Sequence, residues 1–240
     1  MKKIINNKDQ IVDDMLSGYT KANSDRVKFS QNSKRIILRS QPKSIDKTAI
    51  LIGNGSGHEP IAMGWVGEGL LDANIVGDIF AAPSGDLIFE GIEIFKENSG
   101  CILLISNHAG DVMNGEMAIE LAKEDNIDAD LLLMYDDIAS APKGSEDQRR
   151  GGAGTTFIYK ILGALSEVGE EKDTLLKLEK EYTDLNNIFL KLENERQRKK
   201  MKVSNKQHQL AFKNLNKKRV EINEKRSKIF TEKANKEQLD

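Results

Sequence analysis

The chain of 240 residues has a single cysteine, Cys101, and therefore cannot form an internal disulfide. Cys101 lies within the apolar run CILLIS, which favours a buried strand thiol over a reactive one. The lack of disulfides fits a reducing, cytoplasmic setting. The first ten residues, MKKIINNKDQ, contain no apolar signal-peptide core, and no run approaches the roughly 18 apolar residues of a membrane span. These absences predict a cytoplasmic protein that does not engage a membrane.

Glycine and proline are missing from residues 171–240, since all 19 glycines and all four prolines lie before residue 170. The charge changes at the same place: residues 1–170 carry a formal charge of −9, and residues 171–240 carry +7. The total of −2 favours no particular class of partner. We therefore predict an N-terminal domain over residues 1–170 and a charged helical extension over residues 171–240.

The extension begins with an apolar stripe at helical spacing, which is too short to indicate a coiled coil. The stripe consists of Leu175, Leu178, Tyr182, Leu185, Phe189 and Leu192. After Glu195 the sequence is rich in Lys, Asn, Glu and Gln, which indicates a solvated or loosely helical tail. A basic surface for nucleic acid is the weaker alternative, because no aromatic residues are interleaved.

In residues 1–170, short apolar runs alternate with glycine-containing loops and helical patterns. The predicted strands cover residues 35–40, 48–52, 73–80, 101–106 and 129–135. The predicted helices cover residues 9–23, 87–96, 114–123 and 155–168, and the last has an apolar face of Phe157, Ile161, Leu165 and Val168. This alternation predicts an α/β fold with a largely parallel or mixed sheet and helices on both faces.

Ligands of such sheets bind beyond the carboxyl ends of the strands, which brings the loops at residues 53–58, 81–86, 106–111 and 136–139 to one edge. The segment GNGSGHEP is not a P-loop, because His-Glu-Pro stands where Lys-Ser/Thr is needed. The amides of Gly55, Ser56 and Gly57 either hold a polar ligand or form a structural turn. His58 is expected to begin the following helix, where the helix dipole favours a neutral imidazole able to accept a proton.

The segment SNHAGDVMN brings a carboxylate to the same edge. Asp111 is either a catalytic group or a helix N-cap. A histidine and an aspartate from neighbouring strand ends suit acid/base work on a hydroxylated substrate. His108 is within reach of this pair, and Asp136 and Asp137 either bind a cation or solvate a loop, the loop being favoured. His208, in the tail, has no supporting context.

Five segments carry a resemblance to a known family: NGSGHEP, GWVGEGLLDA, GDIFAAPS, NHAGDVMNGEMAIELA and RRGGAGTTFIYKILGALSEVG. Together they resemble the dihydroxyacetone kinase K subunit over residues 1–187. The resemblance implies a cytoplasmic, homodimeric subunit that holds a short-chain ketose, such as dihydroxyacetone or erythrulose. A separate nucleotide-binding L-type subunit would carry ATP or ADP with magnesium and phosphorylate a terminal hydroxyl, and this chain would bind no cofactor or metal itself.

The same resemblance implies roles for individual residues. Gly55, Ser56, Gly57 and His58 correspond to the loop that contacts the substrate, with His58 in an acid/base role. Asp111 corresponds to the carboxylate that activates the hydroxyl. Ser106 stands where the family commonly has a substrate-contacting lysine, and the neighbouring His-Ala pair resembles branches associated with somewhat larger ketoses.

A second departure concerns the family's covalent anchor, a histidine in a Gly-Ile-His-Gly-Glu-Pro segment. The sequence contains no such segment, and His208 has no glycine around it. An interrupted reading frame after about residue 187 explains this, and so does a paralogue that exchanged its second half for a helical tail. The alternative function is accordingly an inactive ligand sensor or co-activator that acts through the tail.

Overall fold

The computed structural model describes residues 5–142 and 144–177, together with Lys213 and Lys217. Contacts group residues 1–187 into one compact unit, and only that unit is described below. Most of the predicted apolar stripe and the basic tail, including His208, lie outside the described residues. The predicted boundary at residue 170 stays a prediction, although Leu175 is fully buried in the core of this unit.

The described residues form a six-stranded mixed sheet with four α-helices. The strands are β1 (Val27–Phe29), β2 (Ile36–Arg39), β3 (Ala49–Ser56), β4 (Ala73–Ile79), β5 (Cys101–Ser106) and β6 (Ala129–Met134). The helices are α1 (Ile11–Ala22), α2 (Gly85–Glu93), α3 (Ala109–Glu124) and α4 (Thr155–Glu167). The strand order is β1-β2-β4-β3-β5-β6, with β4, β3, β5 and β6 parallel and with β1 and β2 antiparallel to their neighbours. The α/β prediction is confirmed.

Both faces of the sheet are covered because successive strand residues point to opposite sides. On one face, Ile50 and Ile52 of β3 belong to the core that includes Leu16 of α1 and Leu162 of α4. On the other face, Leu51 belongs to the core built with α2 and α3. All eight residues of β3 are buried, which matches the continuous apolar and glycine run from which the strand was predicted.

The predicted apolar face of α4 is wrong. Phe157 is 61% exposed and Val168 78% exposed, whereas Ile158, Tyr159 and Leu162 are buried. The buried face also carries Gly163, whose ideal Cβ would lie 2.4 Å from the carbonyl oxygen of Leu70. Because α4 packs closely against the backbone at Leu70, its buried face contains small and polar residues. Hydrophobic periodicity alone does not predict such a face.

A cluster of buried charges joins α4 to the amino-terminal edge of the parallel strands. Asp72, which directly precedes β4, lies 2.7 Å from the Lys43 ammonium and 3.2 Å from the Arg39 guanidinium. Arg39 also donates to Glu167 of α4 at 2.6 Å, and Lys43 donates to Ser166 at 2.6 Å. Burial lowers the pKa of Lys43, while Asp72 beside it acts in the opposite direction. The cluster fixes α4 across the base of the sheet.

Within the described residues, no helix combines the length and the apolar character that crossing a membrane requires.

Candidate functional site

The candidate site lies at the carboxyl edge of the four parallel strands. Because β4, β3, β5 and β6 pair in parallel, the segments after Ile79, Ser56, Ser106 and Met134 emerge at the same edge, as predicted. The amino-terminal edge, with its charge cluster, lies at the opposite end of the sheet. The geometry of the site therefore depends on how each strand ends.

Gly55 and Ser56 belong to β3 itself. The ideal Cβ of Gly55 would lie 2.7 Å from the carbonyl oxygen of Ala81, so glycine is required where the segment after β4 crosses the strand. The hydroxyl of Ser56 is buried and donates to the carbonyl oxygen of Gly77 in β4 at 2.8 Å. Both residues form the seam between β3 and β4, and their contact with a ligand stays a prediction.

Gly57 leaves the strand in the left-handed region, with φ of +101°, which glycine tolerates without strain. Its amide donates to both carboxylate oxygens of Glu59, at 3.2 and 3.0 Å. The amide thus already binds an anionic group within the chain. An incoming ligand would have to compete with Glu59 for this donor.

His58 does not begin an α-helix, and that prediction is wrong. The residues after it form turns that lead into a short 3-10 helix, Met63–Trp65. Gly57, Pro60 and Gly64 interrupt any run long enough for an α-helix. The dipole argument for a neutral imidazole therefore does not apply. His58 is exposed, and its ring packs against that of Phe80 with centroids 5.1 Å apart.

Asp111 lies in the first turn of α3, which begins at Ala109 rather than near residue 114. The N-cap is His108, so the N-cap interpretation of Asp111 is wrong. Burial raises the pKa of the partly buried Asp111 carboxyl, whereas His108 and, more weakly, His58 act to lower it. His108 directly precedes α3, and His58 follows β3 at the same edge of the sheet, so the pairing of His58 with Asp111 stays a prediction.

Two asparagines missed by the sequence analysis hold the loops around Asp111. Asn114 of α3 donates to the carbonyl oxygen of Pro83 at 2.8 Å and so ties the helix to the segment after β4. Asn107, after β5, donates to the carbonyl oxygens of Asp147 and Arg149 at 2.9 and 2.6 Å. Neither asparagine has a sequence signal of its own, since Asn107 follows a strand and Asn114 lies within a helix.

The segment RRGGAG covers the ends of β5 and β6. The ideal Cβ of Gly151 would lie 2.9 Å from that of Ser106, so this loop packs directly on the predicted substrate contact. The buried Asp136 accepts from the amides of Gly152 and Gly154, both at 2.8 Å. Asp136 thus anchors the loop from inside the protein, so the prediction that it solvates the loop is wrong. A substrate contact by Ser106 stays a prediction.

The carboxyl edge of the sheet thus carries the partly buried Asp111 carboxylate and two exposed histidines, His58 and His108, between glycine-containing loops. Such a set can accept a proton from, and donate hydrogen bonds to, a small hydroxylated molecule. Within residues 5–142 and 144–177, no group of three or more His, Cys, Asp or Glu side chains is placed to hold a metal ion.

A family model described as the Dak1 domain matches residues 17–188. The chain belongs to the Dak1 family. This confirms the resemblance found in the sequence. The Dak1 chain is 41% identical over 178 residues to the dihydroxyacetone-binding subunit DhaK of the PTS-dependent dihydroxyacetone kinase 1 of Listeria innocua, covering 74% of this chain and 54% of that protein.

Solved structures of the family share the fold. The dihydroxyacetone kinase of C. freundii superposes with a TM-score of 0.68 at 31% identity, covering 73% of the Dak1 chain and 32% of the kinase. The dihydroxyacetone kinase operon co-activator DhaQ superposes with a TM-score of 0.62 at 29% identity, covering 69% and 50%. The chain therefore spans 54% of the length of the DhaK relative, 50% of the co-activator and 32% of the C. freundii kinase. The comparisons relate the chain to kinases and to a co-activator alike.

Proposed function

We propose that this chain is the ketose-binding subunit of a dihydroxyacetone kinase-like system. It holds a short-chain ketose while a nucleotide-bearing L-type partner phosphorylates a terminal hydroxyl. The observation that carries the proposal is the Dak1 match over residues 17–188, in which Asp111 lies in the first turn of α3 and His58 follows β3 at the same carboxyl edge. The relative from Listeria innocua, named as a dihydroxyacetone-binding subunit, supports the class of substrate.

Asp111 is the base in this proposal. Partial burial raises the pKa of its carboxyl, which makes the ionised form a better proton acceptor than an exposed aspartate. As the ketose hydroxyl oxygen attacks phosphorus, its proton passes to Asp111, the new O–P bond forms and the bond to the nucleoside diphosphate breaks. His58 donates a hydrogen bond to the carbonyl or a neighbouring hydroxyl and so orients the ketose.

The partner supplies the rest of the chemistry. In this proposal the nucleotide and magnesium belong to the partner subunit, and this chain acts as a homodimer. Residues 1–240 contain no covalent histidine segment of the kind that the resemblance implies, so in this proposal they hold the ketose by hydrogen bonds. We therefore expect weak ketose binding and slow turnover.

A catalytically inactive sensor or co-activator is the second candidate. The observation that favours it is the co-activator DhaQ, whose structure resembles this chain nearly as closely as the kinase from C. freundii does. This function needs the ketose pocket and a macromolecular partner, but no phosphoryl transfer. Both candidates therefore predict ketose binding that depends on Asp111.

The experiment measures ketose-dependent ATP consumption by the full chain with an added L-type subunit, using dihydroxyacetone and erythrulose. The kinase proposal predicts turnover that Asp111→Ala abolishes and Asp128→Ala leaves unchanged. Asp128 is the matched control, because its side chain is 68% exposed and precedes β6 at the amino edge. Ketose binding by NMR without turnover would support the sensor, and no binding at all would contradict both.

A further inference from the structure

Phe80 is the least expected residue of the site. It directly follows β4 with φ of +56°, a left-handed conformation that bulky side chains rarely adopt. Its side chain is also 71% exposed, so burial of the ring does not explain why the conformation is kept. A strained and exposed aromatic residue at the edge of a candidate site indicates a role in that site.

Three features of the structure hold Phe80 in place. Its amide donates to the carbonyl oxygen of Ser56 at 2.8 Å, which ties the left-handed turn to the end of β3. Gly57 leaves room for the ring, since an ideal Cβ there would lie 2.7 Å from Cε1 of Phe80. The ring then lies beside the imidazole of His58, with an interplanar angle of 59°.

His58 needs such a neighbour. Among the described residues its imidazole has no hydrogen-bond partner in the structure, and the residue is exposed. An exposed side chain without a partner samples several rotamers, and fixing one costs entropy each time a ligand binds. A ring packed against it removes some of that freedom in advance.

We propose that Phe80 is a positioning residue that holds the His58 imidazole in one orientation at the carboxyl edge of the sheet. The ring centroid lies 5.1 Å from that of the imidazole, so the ring excludes the His58 rotamers that would occupy the same space. The catalytic consequence rests on the proposed function, but the orientation of His58 does not. The two can therefore be tested separately.

The first test is structural and uses the full chain without substrate. Proton–carbon NMR spectra record the imidazole signals of His58, assigned with His58→Gln. Phe80→Asn removes the ring while keeping a residue that tolerates the left-handed region, Phe80→Tyr keeps the ring, and Phe157→Ala is the control for loss of an exposed aromatic residue. The three-bond couplings of these signals report the χ1 rotamer of His58 and do not depend on the ring current that Phe80→Asn removes. We expect the couplings to become rotamer-averaged in Phe80→Asn and to keep their values in the other two variants.

Gly57→Ala provides a second perturbation in case Phe80→Asn does not fold. The added Cβ pushes the ring away while Phe80 itself is retained, and the His58 couplings should again change. His58 couplings that stay unchanged in the folded Phe80→Asn variant would overturn the proposal. So would unchanged couplings combined with lost binding of an L-type partner, which would make Phe80 a docking residue instead.

The second test is functional. If ketose turnover occurs, Phe80→Asn should lower kcat several-fold and alter its pH profile, Phe80→Tyr should restore both, and the Michaelis constant of the nucleotide-bearing partner should stay unchanged. A rise in that constant alone would contradict positioning. If no turnover occurs with any variant, the proposed kinase function fails, while the NMR comparison still decides the role of Phe80.

Discussion

Replacing Asp72 with asparagine should strongly destabilise the fold. The side chain of Asp72 is completely buried, and its carboxylate receives three donors: the Lys43 ammonium, the Arg39 guanidinium and the amide of Ile50 at 2.8 Å. The side chain of Lys43 is equally inaccessible. Asp72→Asn keeps the volume but leaves an ammonium without its counter-charge in a site that water does not reach.

The magnitude follows from the burial of both groups. Removing one partner of a buried ion pair costs about 3–5 kcal/mol, because the remaining charge stays desolvated. For a domain of this size each kcal/mol lowers the melting temperature by about 2–4 °C, which gives a fall of roughly 6–20 °C. Asp128 provides the matched control: its side chain is 68% exposed, and Lys172 keeps Asp130 as a partner at 2.7 Å when Asp128 is replaced, so the cost should be about 0–1 kcal/mol.

The assay is urea unfolding followed by circular dichroism, with wild type, Asp72→Asn, Asp128→Asn and the double variant Lys43→Met/Asp72→Asn. The double variant removes the orphaned ammonium and should recover at least about 1 kcal/mol relative to Asp72→Asn. If Asp72→Asn unfolds at the same urea concentration as Asp128→Asn, the buried cluster does not stabilise the position of α4 and the reasoning is refuted.

Three further predictions concern other parts of the fold. Asp111→Asn should raise the urea concentration at the midpoint of unfolding at pH 7, because a raised pKa means that the ionised carboxylate destabilises the folded state. This gain in stability should vanish below about pH 3.8, where the wild-type carboxyl is protonated in both the folded and the unfolded state. Gly163→Ala should destabilise by about 1–3 kcal/mol through contact with the Leu70 carbonyl, whereas Gly18→Ala, with nothing within 4 Å, should be neutral or stabilising by up to about 1 kcal/mol in thermal melts. Burial raises the pKa of Cys101, so an aromatic disulfide reagent should leave the thiol unmodified in the native protein and react at once in guanidinium; rapid native labelling would contradict the buried assignment.

The strands were predictable where burial on both faces leaves a continuous apolar run. β5 has the predicted bounds, and β6 ends within one residue of the prediction. β1 was missed, because its three residues are held in place by pairing with β2 and have no pattern of their own. Short edge strands depend on the neighbour that they meet, and a local pattern does not contain that neighbour.

Glycine was the main source of error around the site. Gly110 suggested a loop before residue 114, yet it lies within α3, as does Gly115. Gly115 is there because an ideal Cβ would lie 2.9 Å from Ile105 of the sheet, so close helix packing outweighs its low helix propensity. Around His58, by contrast, Gly57 and Gly64 together with Pro60 prevent an α-helix from forming. Tertiary contact decides between these outcomes.

The two edges of the sheet differ in role: one stabilises the fold and the other carries the candidate site. At the amino edge, Asp72 and its partners satisfy one another inside the protein and anchor α4. At the carboxyl edge, His58 and Phe80 remain exposed. Phe80 keeps a strained left-handed backbone conformation, and burial of its ring does not offset that strain. Stability concentrated at one end allows such strained and unpartnered groups at the other. A variant that weakens the amino edge should therefore lower thermal stability while leaving the His58 signals of the folded protein unchanged, whereas Phe80→Asn should do the reverse.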